Sequence, residues 1–162
     1  MDDLLLDSSY LLPIFGVGLE YRDFELVFPK LADQYSIRYN PVSIIEAKWY
    51  VLKQIKKKKA NEDLLQSYRR GLSSLERDQT LKSTPLTNEK IEELSDALLV
   101  RYSLQDYFDR LIFSTSAHFG SILLTEDNLL HELFNTIDND LSKPKKILRW
   151  KDLLTAQNRS VR

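Results

Sequence analysis

The sequence predicts a three-layer α/β/α sandwich with a mostly parallel central sheet. Short apolar runs such as Leu4–Leu6 alternate with longer segments whose apolar residues recur every three or four positions. Strands that alternate with helices form a parallel sheet that is covered on both faces. The chain has 162 residues, of which 43% are hydrophobic and 29% charged. This composition suits one folded core, and we expect a single domain over residues 1–162.

The first part of the chain is predicted to contain two strands and one helix. Leu4–Leu6 is an apolar run that stops at Asp7, as a buried strand would. A proline and two glycines indicate a broken helix or a loop over Leu11–Leu19. Large apolar residues at spacings of three and four predict a helix over Glu20–Gln34, and alternating residues predict a strand over Ser36–Val42.

The middle of the chain is predicted to be mainly helical. A helix opens at Ser43 and ends in the lysine run Lys56–Lys59, which suits the negative end of the helix dipole. The charged segment Asn61–Arg77 is also expected to be helical. Thr80–Leu86 is the third predicted strand, and a proline near its end limits pairing there. A helix over Asn88–Val100 begins with an asparagine that is suited to the N-cap.

The last part of the chain repeats the alternation. A helix over Leu104–Phe119 stops at a glycine, the expected C-terminal breaker. The apolar run in Ser121–Thr125 predicts a strand, and a short helix over Asn128–Asn135 follows. Lys146–Trp150 is the last predicted strand, and we expect the end of the chain, Gln157–Arg162, to be frayed.

Composition excludes several classes of site. The chain has no cysteine, which excludes disulfides, thiolate catalysis and cysteine-ligated zinc. Its first residues are acidic where a secretory signal would be basic, and no apolar run approaches the roughly 18 residues of a membrane helix. We therefore expect a soluble cytoplasmic protein. The net charge of −1 does not indicate nucleic-acid binding. A nucleic-acid-binding protein with an acidic centre and flanking basic patches would have a similar net charge.

Four acidic residues are predicted to meet at one edge of the sheet. Asp7 and Asp127 each follow a strand, and the carboxyl ends of parallel strands share an edge. Glu46 lies just beyond the second strand. Asp109 lies early in the helix that leads into the Ile122 strand. If this strand is parallel to the first, the helix begins at the same edge, so Asp109 lies there too.

The periodicity of the predicted Leu104–Phe119 helix distinguishes two neighbouring acids. At about 100° per residue, one stripe of this helix is formed by Leu104, Phe108, Leu111, Ile112, Thr115 and Phe119. Asp109 borders this stripe, whereas Asp106 points about 60° further towards solvent. We therefore take Asp109 as the inward acid and Asp106 as an outer residue.

A cluster of carboxylates favours a hard divalent cation. Carboxylates that lie close together repel one another unless they are protonated or neutralised. Oxygen ligands suit Mg²⁺ or Mn²⁺ rather than zinc, and such ions activate water for attack on a phosphodiester. The acids therefore predict a metal-dependent nuclease.

The same acids carry a family resemblance. The chain resembles the PIN-domain family in four motifs, in order: Leu5-Leu6-Asp7-Ser8-Ser9, Val42-Ser43-Ile44-Ile45-Glu46, the segment Asp109–Ala117, and Leu124-Thr125-Glu126-Asp127. The resemblance extends from Leu4 to about Trp150. It departs from compact toxins of the family in a longer charged segment between Lys53 and Asn88, and in the bulky Phe113 and serines that follow Asp109.

This resemblance implies a function and partners. It implies a Mg²⁺- or Mn²⁺-dependent ribonuclease, often a homodimer and often the toxin of a toxin–antitoxin pair, with an antitoxin as protein partner. By motif, the metal-site acids are Asp7, Glu46, Asp109 and Asp127. Ser9 and Thr125 match the small hydroxyl residues that support these acids.

Structural alternatives exist for most of these residues. Ser43-Ile44-Ile45-Glu46 is also a capping-box sequence, in which the glutamate bonds the N-cap amide. Asp106 and Asp127 suit helix N-caps, and Asp7 could simply end a strand. The lysines from Lys53 to Lys59 form either a solvated helix end or an RNA contact. Trp49 and Trp150 are expected in the core or an interface.

Two functional alternatives also remain open. The first is a non-catalytic RNA- or protein-binding module on the same fold, and the second is a structure-specific DNA nuclease.

Overall fold

The computed structural model describes residues 1–18, 21–58 and 62–160. Within them lies a five-stranded sheet with the order β3-β2-β1-β4-β5 and parallel pairing throughout. Its strands are β1 (Asp2–Leu6), β2 (Tyr35–Tyr39), β3 (Leu81–Ser83), β4 (Ile122–Leu124) and β5 (Lys146–Leu148). Because all pairs are parallel, the carboxyl ends of the strands share one edge of the sheet.

The strand order reverses beside the central strand. β2 and then β3 are added on one side of β1, whereas β4 and then β5 are added on its other side. In open parallel sheets, a crevice forms at such a switch point, outside the carboxyl ends of the two strands. The crevice of this protein therefore lies beyond Leu6 and Leu124, which are paired in the β1–β4 register.

Helices cover both faces of the sheet. They are α1 (Phe24–Val27), α2 (Val42–Lys58), α3 (Glu62–Arg77), α4 (Glu89–Tyr102), α5 (Tyr107–Phe119), α6 (Asn128–Thr136) and α7 (Trp150–Ser160), with 3₁₀ helices at Ser8–Phe15 and Phe28–Asp33. Leu4 and Leu6 face a core shared with the 3₁₀ helices, α2, α3 and α7. Leu5 faces the other core, which α4, α5 and α6 complete. This is the predicted three-layer α/β/α sandwich.

The predicted helix over Glu20–Gln34 is wrong. The chain forms only the four residues of α1 and then the 3₁₀ helix Phe28–Asp33, in which Pro29 is near the start. Proline lacks a backbone N–H and clashes with the preceding turn, so an α-helix cannot run through Pro29. Leu19 and Glu20 lie outside the described residues. The broken segment before them is a 3₁₀ helix that ends at Gly16, whose φ is 84°.

Further boundaries differ from the predicted ones. The strands predicted to reach Val42 and Leu86 end at Tyr39 and Ser83, and Val42 opens α2. Ser103 has a φ of 56° and ends α4. Asp106 has an extended backbone and caps α5, so this helix begins at Tyr107 instead of Leu104. The strand predicted to reach Trp150 ends at Leu148, and Trp150 opens α7, for which no helix is predicted. The expected frayed end is helical up to Ser160; residues 161–162 lie outside the described part of the chain.

Two predicted helix ends cannot be compared with the structure. Helix α2 reaches Lys58 and α3 starts at Glu62, while residues 59–61, which include the predicted ends at Lys59 and Asn61, are outside the described ranges. Over residues 1–18, 21–58 and 62–160, no helix has the length and apolar character needed to cross a membrane.

Candidate metal centre

Asp7 lies at the carboxyl end of the central strand. Its backbone N–H donates to Leu124 O at 3.0 Å, which continues the β1–β4 ladder by one residue. Its carboxylate accepts two hydrogen bonds, from the Ser8 N–H at 2.6 Å and from the Thr125 hydroxyl at 2.7 Å. Asp7 thus ends the strand, caps the following 3₁₀ helix and is fixed in orientation.

The turn after β4 places Asp127 beside Asp7. The Thr125 hydroxyl that donates to Asp7 also accepts from the Asp127 N–H at 3.0 Å, so one buried side chain connects the two turns. Asp127 Oδ1 accepts from the Leu130 N–H at 3.0 Å and caps α6. The predicted cap is therefore present, and Asp127 lines the pocket described below as well.

Glu46 lies one turn into α2, and its capping-box alternative is wrong. Helix α2 begins at Val42, whose N–H donates to the Asn40 side chain at 2.8 Å, so Ser43 lies inside the helix. Neither Ser43 Oγ nor Glu46 Oε2 has a hydrogen-bond partner among the described residues. Glu46 therefore carries a buried carboxylate oxygen that its own helix does not use.

Asn40 holds the start of α2 against the opposite layer. Its amide donates to Thr115 Oγ1 of α5 and to Leu86 O, both at 2.9 Å. Sequence patterns did not identify this role, because a buried asparagine before a helix looks like an ordinary turn residue. The contact sets where Glu46 lies relative to α5.

Asp106 and Asp109 occupy the start of α5. Asp106 caps the helix and accepts from the Phe108 and Asp109 N–H groups at 2.8 and 3.4 Å. Asp109 in the first turn is half-buried. Asp106 is exposed, in agreement with its predicted outer position, and it lines the same pocket as Asp109. The helix is also buried on all sides from Arg110 to Ala117, whereas Phe119 of the predicted stripe is exposed.

Five carboxylates line one cavity at the switch point, which we call the acid pocket. Its volume is about 380 Å³, and its acidic lining residues are Asp7, Glu46, Asp106, Asp109 and Asp127. Ser8, Ser9, Trp49, Tyr50, Lys53 and Phe108 also line it. The structure thus brings the four predicted acids to one place and adds Asp106. Ser9 is at the pocket, but the serine bonded to Asp7 is Ser8.

Burial and mutual repulsion raise the pKa of three of these acids, Asp7, Glu46 and Asp109. Burial raises the pKa of Asp7 to about 6, the bond from Thr125 acts against this rise, and the charge of Glu46 adds to it. Burial also raises the pKa of Asp109 to about 8, with the charges of Asp106, Asp7, Asp127 and Glu46 contributing. Burial raises the pKa of Glu46, the Ser8 hydroxyl and Lys53 lower it, and Asp106 and Asp127 raise it further.

This donor set fits a hard divalent cation. Carboxylates with raised pKa values are those that a nearby positive charge would stabilise, and all five offer oxygen ligands. Within the described part of the chain, no three histidine, cysteine, aspartate or glutamate side chains are placed closely enough to hold an ion together. The acids surround a shared cavity rather than a preformed cage.

No protein-family model and no curated protein matches the sequence. Solved structures that are similar to this chain include the following two. PAE2754 from Pyrobaculum aerophilum has a TM-score of 0.59 and 17% identity, over 96% of this chain and 94% of that one. A member of the VapBC family of toxin-antitoxin systems, VapBC-5 from Mycobacterium tuberculosis, has a TM-score of 0.54 and 18% identity, over 92% and 99%. At such identity, the likeness shows that this chain has their fold, which is the predicted PIN-domain fold.

Proposed function

We propose that this chain with a PIN-domain fold is a metal-dependent endoribonuclease whose metal-site acids are Asp7, Glu46, Asp109 and Asp127. One observation carries the proposal. Carboxylates from the turn after β1, from α2, from α5 and from the turn after β4 line a single cavity at the switch point of the sheet. Separate structural roles for these acids would not require their side chains to share one cavity.

The acids divide into two groups by their hydrogen bonds. Asp7 and Asp127 already accept backbone N–H groups and are joined through Thr125, so they would form the fixed side of the site. Glu46 has a free carboxylate oxygen, and Asp109 has a strongly raised pKa, so both would gain most from a cation. Thr125 would orient Asp7, and Ser8 and Ser9 would complete the wall.

Mg²⁺ or Mn²⁺ bound there would supply Lewis acidity and lower the pKa of a water for attack on a phosphodiester. The protein groups would hold the ion and would exclude bulk water on the side of Leu12 and Ala47. Lys53, which is close enough to lower the pKa of Glu46, would contact the anionic substrate at the pocket mouth.

RNA as substrate and an antitoxin as partner are part of the proposal. They are supported by the PIN-domain motifs and by the fold shared with a member of a toxin-antitoxin family. Leu111, Ile112 and Phe113 of α5 face the chain's own core, whereas its end residues Tyr107 and Phe119 are exposed. A homodimer would instead use exposed apolar side chains such as Leu26, Val100 and Leu129.

A cleavage assay with matched variants tests the proposal. Single-stranded RNA is incubated with the protein in Mn²⁺, in Mg²⁺ and in EDTA. Cleavage is expected only with metal and is expected to fall at least a hundredfold in Asp109→Asn. Loss of a carboxylate that holds the cation would weaken the electrostatic stabilisation of the transition state, and one such interaction is worth about a hundredfold or more. Asp96→Asn, an exposed aspartate on α4, serves as control. Equal cleavage by the Asp109→Asn protein would refute the assignment.

A non-catalytic RNA- or protein-binding module is the second candidate. It is favoured by the finding that, among the described residues, no three acids already form a cage for one ion. RNA binding without metal-dependent cleavage would establish it. A panel of duplex, branched and single-stranded DNA in the same assay tests the third candidate, a structure-specific DNA nuclease.

A further inference from the structure

We propose that Trp49 is a stacking platform for one unpaired base of a single-stranded nucleic acid entering the acid pocket. The inference rests on the proposed function and deepens it by naming the substrate form. Trp49 lines the acid pocket, and 55% of its surface is exposed. Trp49 therefore does not lie in the core of the monomer, whereas Trp150 does.

One face of α2 carries the components that a single strand would need. Glu46, Trp49, Lys53 and Lys56 follow one another at spacings of three and four. At about 100° per residue, they fall within an arc of about 80°, over about 15 Å of helix. An acid in the pocket is thus followed by an aromatic ring and then by two exposed cations.

Two neighbouring cavities along this face share lining residues. Trp49 and Lys53 line the acid pocket and also a shallow neighbouring cavity with Leu52 and Lys56. A chain that leaves the pocket along α2 would therefore meet Trp49 first and the lysine ammonium groups next. Lysines neutralise phosphates without reading sequence, while an aromatic face stacks on any base.

The ring of Trp49 is held in place without being covered. It meets Phe108 of α5 at 5.5 Å between centroids, with an interplanar angle of 66°. This edge contact limits ring rotation and does not stack the two rings. Tyr50, which is 40% exposed, lies beside it at the pocket. A fixed, exposed indole loses little conformational freedom when a base stacks on it.

Charge favours a nucleic acid over a protein helix as occupant. An unpaired base can cover the indole while its phosphates contact Lys53 and Lys56, and the adjacent acids can take the cation that accompanies a phosphodiester. In a duplex, the bases are paired and stacked on one another, and only a terminal base pair has a free face, so single strands are expected to bind better than duplexes.

Binding is tested in an Asp7→Asn background, which keeps the RNA intact. The probe is a short fluorescein-labelled single-stranded RNA whose anisotropy gives Kd. Trp49→Leu is expected to raise Kd about tenfold, within the range measured for base–aromatic stacking. Trp49→Phe keeps a ring and is expected to retain most of the affinity. Phe119→Leu, at the other end of α5 and 36% exposed, is the matched control and is expected to leave Kd unchanged.

An abasic scan of the same RNA identifies the stacked base. Removing one particular base is expected to weaken binding to the Asp7→Asn protein as much as Trp49→Leu does, and to cost little further in the Trp49→Leu protein. RNA is also expected to quench the fluorescence of Trp49, because the only other tryptophan, Trp150, is buried.

The outcomes separate this inference from the proposed nuclease. Metal-dependent cleavage by the unmodified protein, together with unchanged RNA affinity in Trp49→Leu, would overturn the platform and leave the nuclease standing. Trp49-dependent RNA binding without cleavage would support the platform and refute the nuclease. Absence of RNA binding, or a change of molar mass in Trp49→Leu by light scattering, would also overturn the platform; the latter would make this face a protein interface.

Discussion

Replacing Asp109 with asparagine is expected to stabilise the metal-free protein at high pH and to leave its stability nearly unchanged at low pH. Burial and the neighbouring carboxylates raise the pKa of Asp109 from 3.8 to about 8 in the folded state. The folded protein therefore keeps a proton on Asp109 over a pH range in which the unfolded chain has lost it. Asparagine is similar in shape and cannot ionise.

The sign of the effect follows from proton linkage. Below pH 3.8, Asp109 is protonated in both states, and the two proteins should be equally stable. Between pH 3.8 and about 8, the folded state binds more protons, so the free energy of unfolding of the wild type falls as the pH rises. Above about pH 8, the full cost of the charged form is present.

The magnitude has to be reduced for solvent screening. One pKa unit corresponds to about 1.4 kcal/mol for the difference between the two protonation states. Asp109 is only half-buried, and water and salt screen its repulsion by the neighbouring carboxylates. We therefore expect Asp109→Asn to raise the free energy of unfolding by about 1–2 kcal/mol at pH 9.

Denaturant unfolding in EDTA at pH 4, 6.5 and 9 measures this gain as the difference between the two free energies of unfolding. Other titrating groups largely cancel in that difference. Asp96→Asn is expected to show no comparable dependence on pH. An Asp109→Asn protein that follows the wild type in parallel at all three pH values would refute the account of a repulsive acid pocket.

Three further outcomes are expected. Glu46→Gln should be at least as stable as the wild type without metal, because it removes a charge from a carboxylate whose buried Oε2 has no partner among the described residues, and should lose metal-dependent cleavage; wild-type cleavage would exclude Glu46 from the site. Thr125→Val should lower the free energy of unfolding by about 1–3 kcal/mol, since it leaves Asp7 and Asp127 without their shared hydroxyl; a loss below the error of denaturant unfolding would contradict this. Light scattering over a dilution series should give a dimer mass that falls on Leu26→Ser; a monomer mass at all concentrations would refute the dimer.

The convergence of the acids could be predicted because it depends on topology. Asp7 and Asp127 directly follow β1 and β4, and parallel strands bring such residues to one edge whatever the exact strand bounds. Asp109 was placed correctly for the same reason, since α5 precedes β4 and must begin at that edge. Errors of two or three residues in helix ends did not affect these positions.

Other features depended on tertiary contacts that periodicity does not contain. Leu104 is buried although it precedes α5, so the apolar spacing begins in the loop between α4 and α5 and continues into the helix. The sequence predicts Asp106 as a helix cap, but it does not predict that the capping carboxylate also lines the pocket, because that depends on how the start of α5 packs. The exposure of Trp49 could not be read from its sequence neighbours, because apolar residues on α2 are both buried and exposed.

The central claim is that the acid pocket binds a divalent cation, and a Mn²⁺ titration tests it most directly. Thermal unfolding of the wild type and of Asp7→Asn/Asp109→Asn is followed at increasing Mn²⁺ in a metal-free buffer near pH 7. The free energy of unfolding of the wild type is expected to rise by about 2.7 kcal/mol when Mn²⁺ reaches 100 times its Kd, because the ion binds only the folded state. The double variant is expected to respond much less. Equal rises of Tm in the two proteins would show that the four acids do not form a specific metal site.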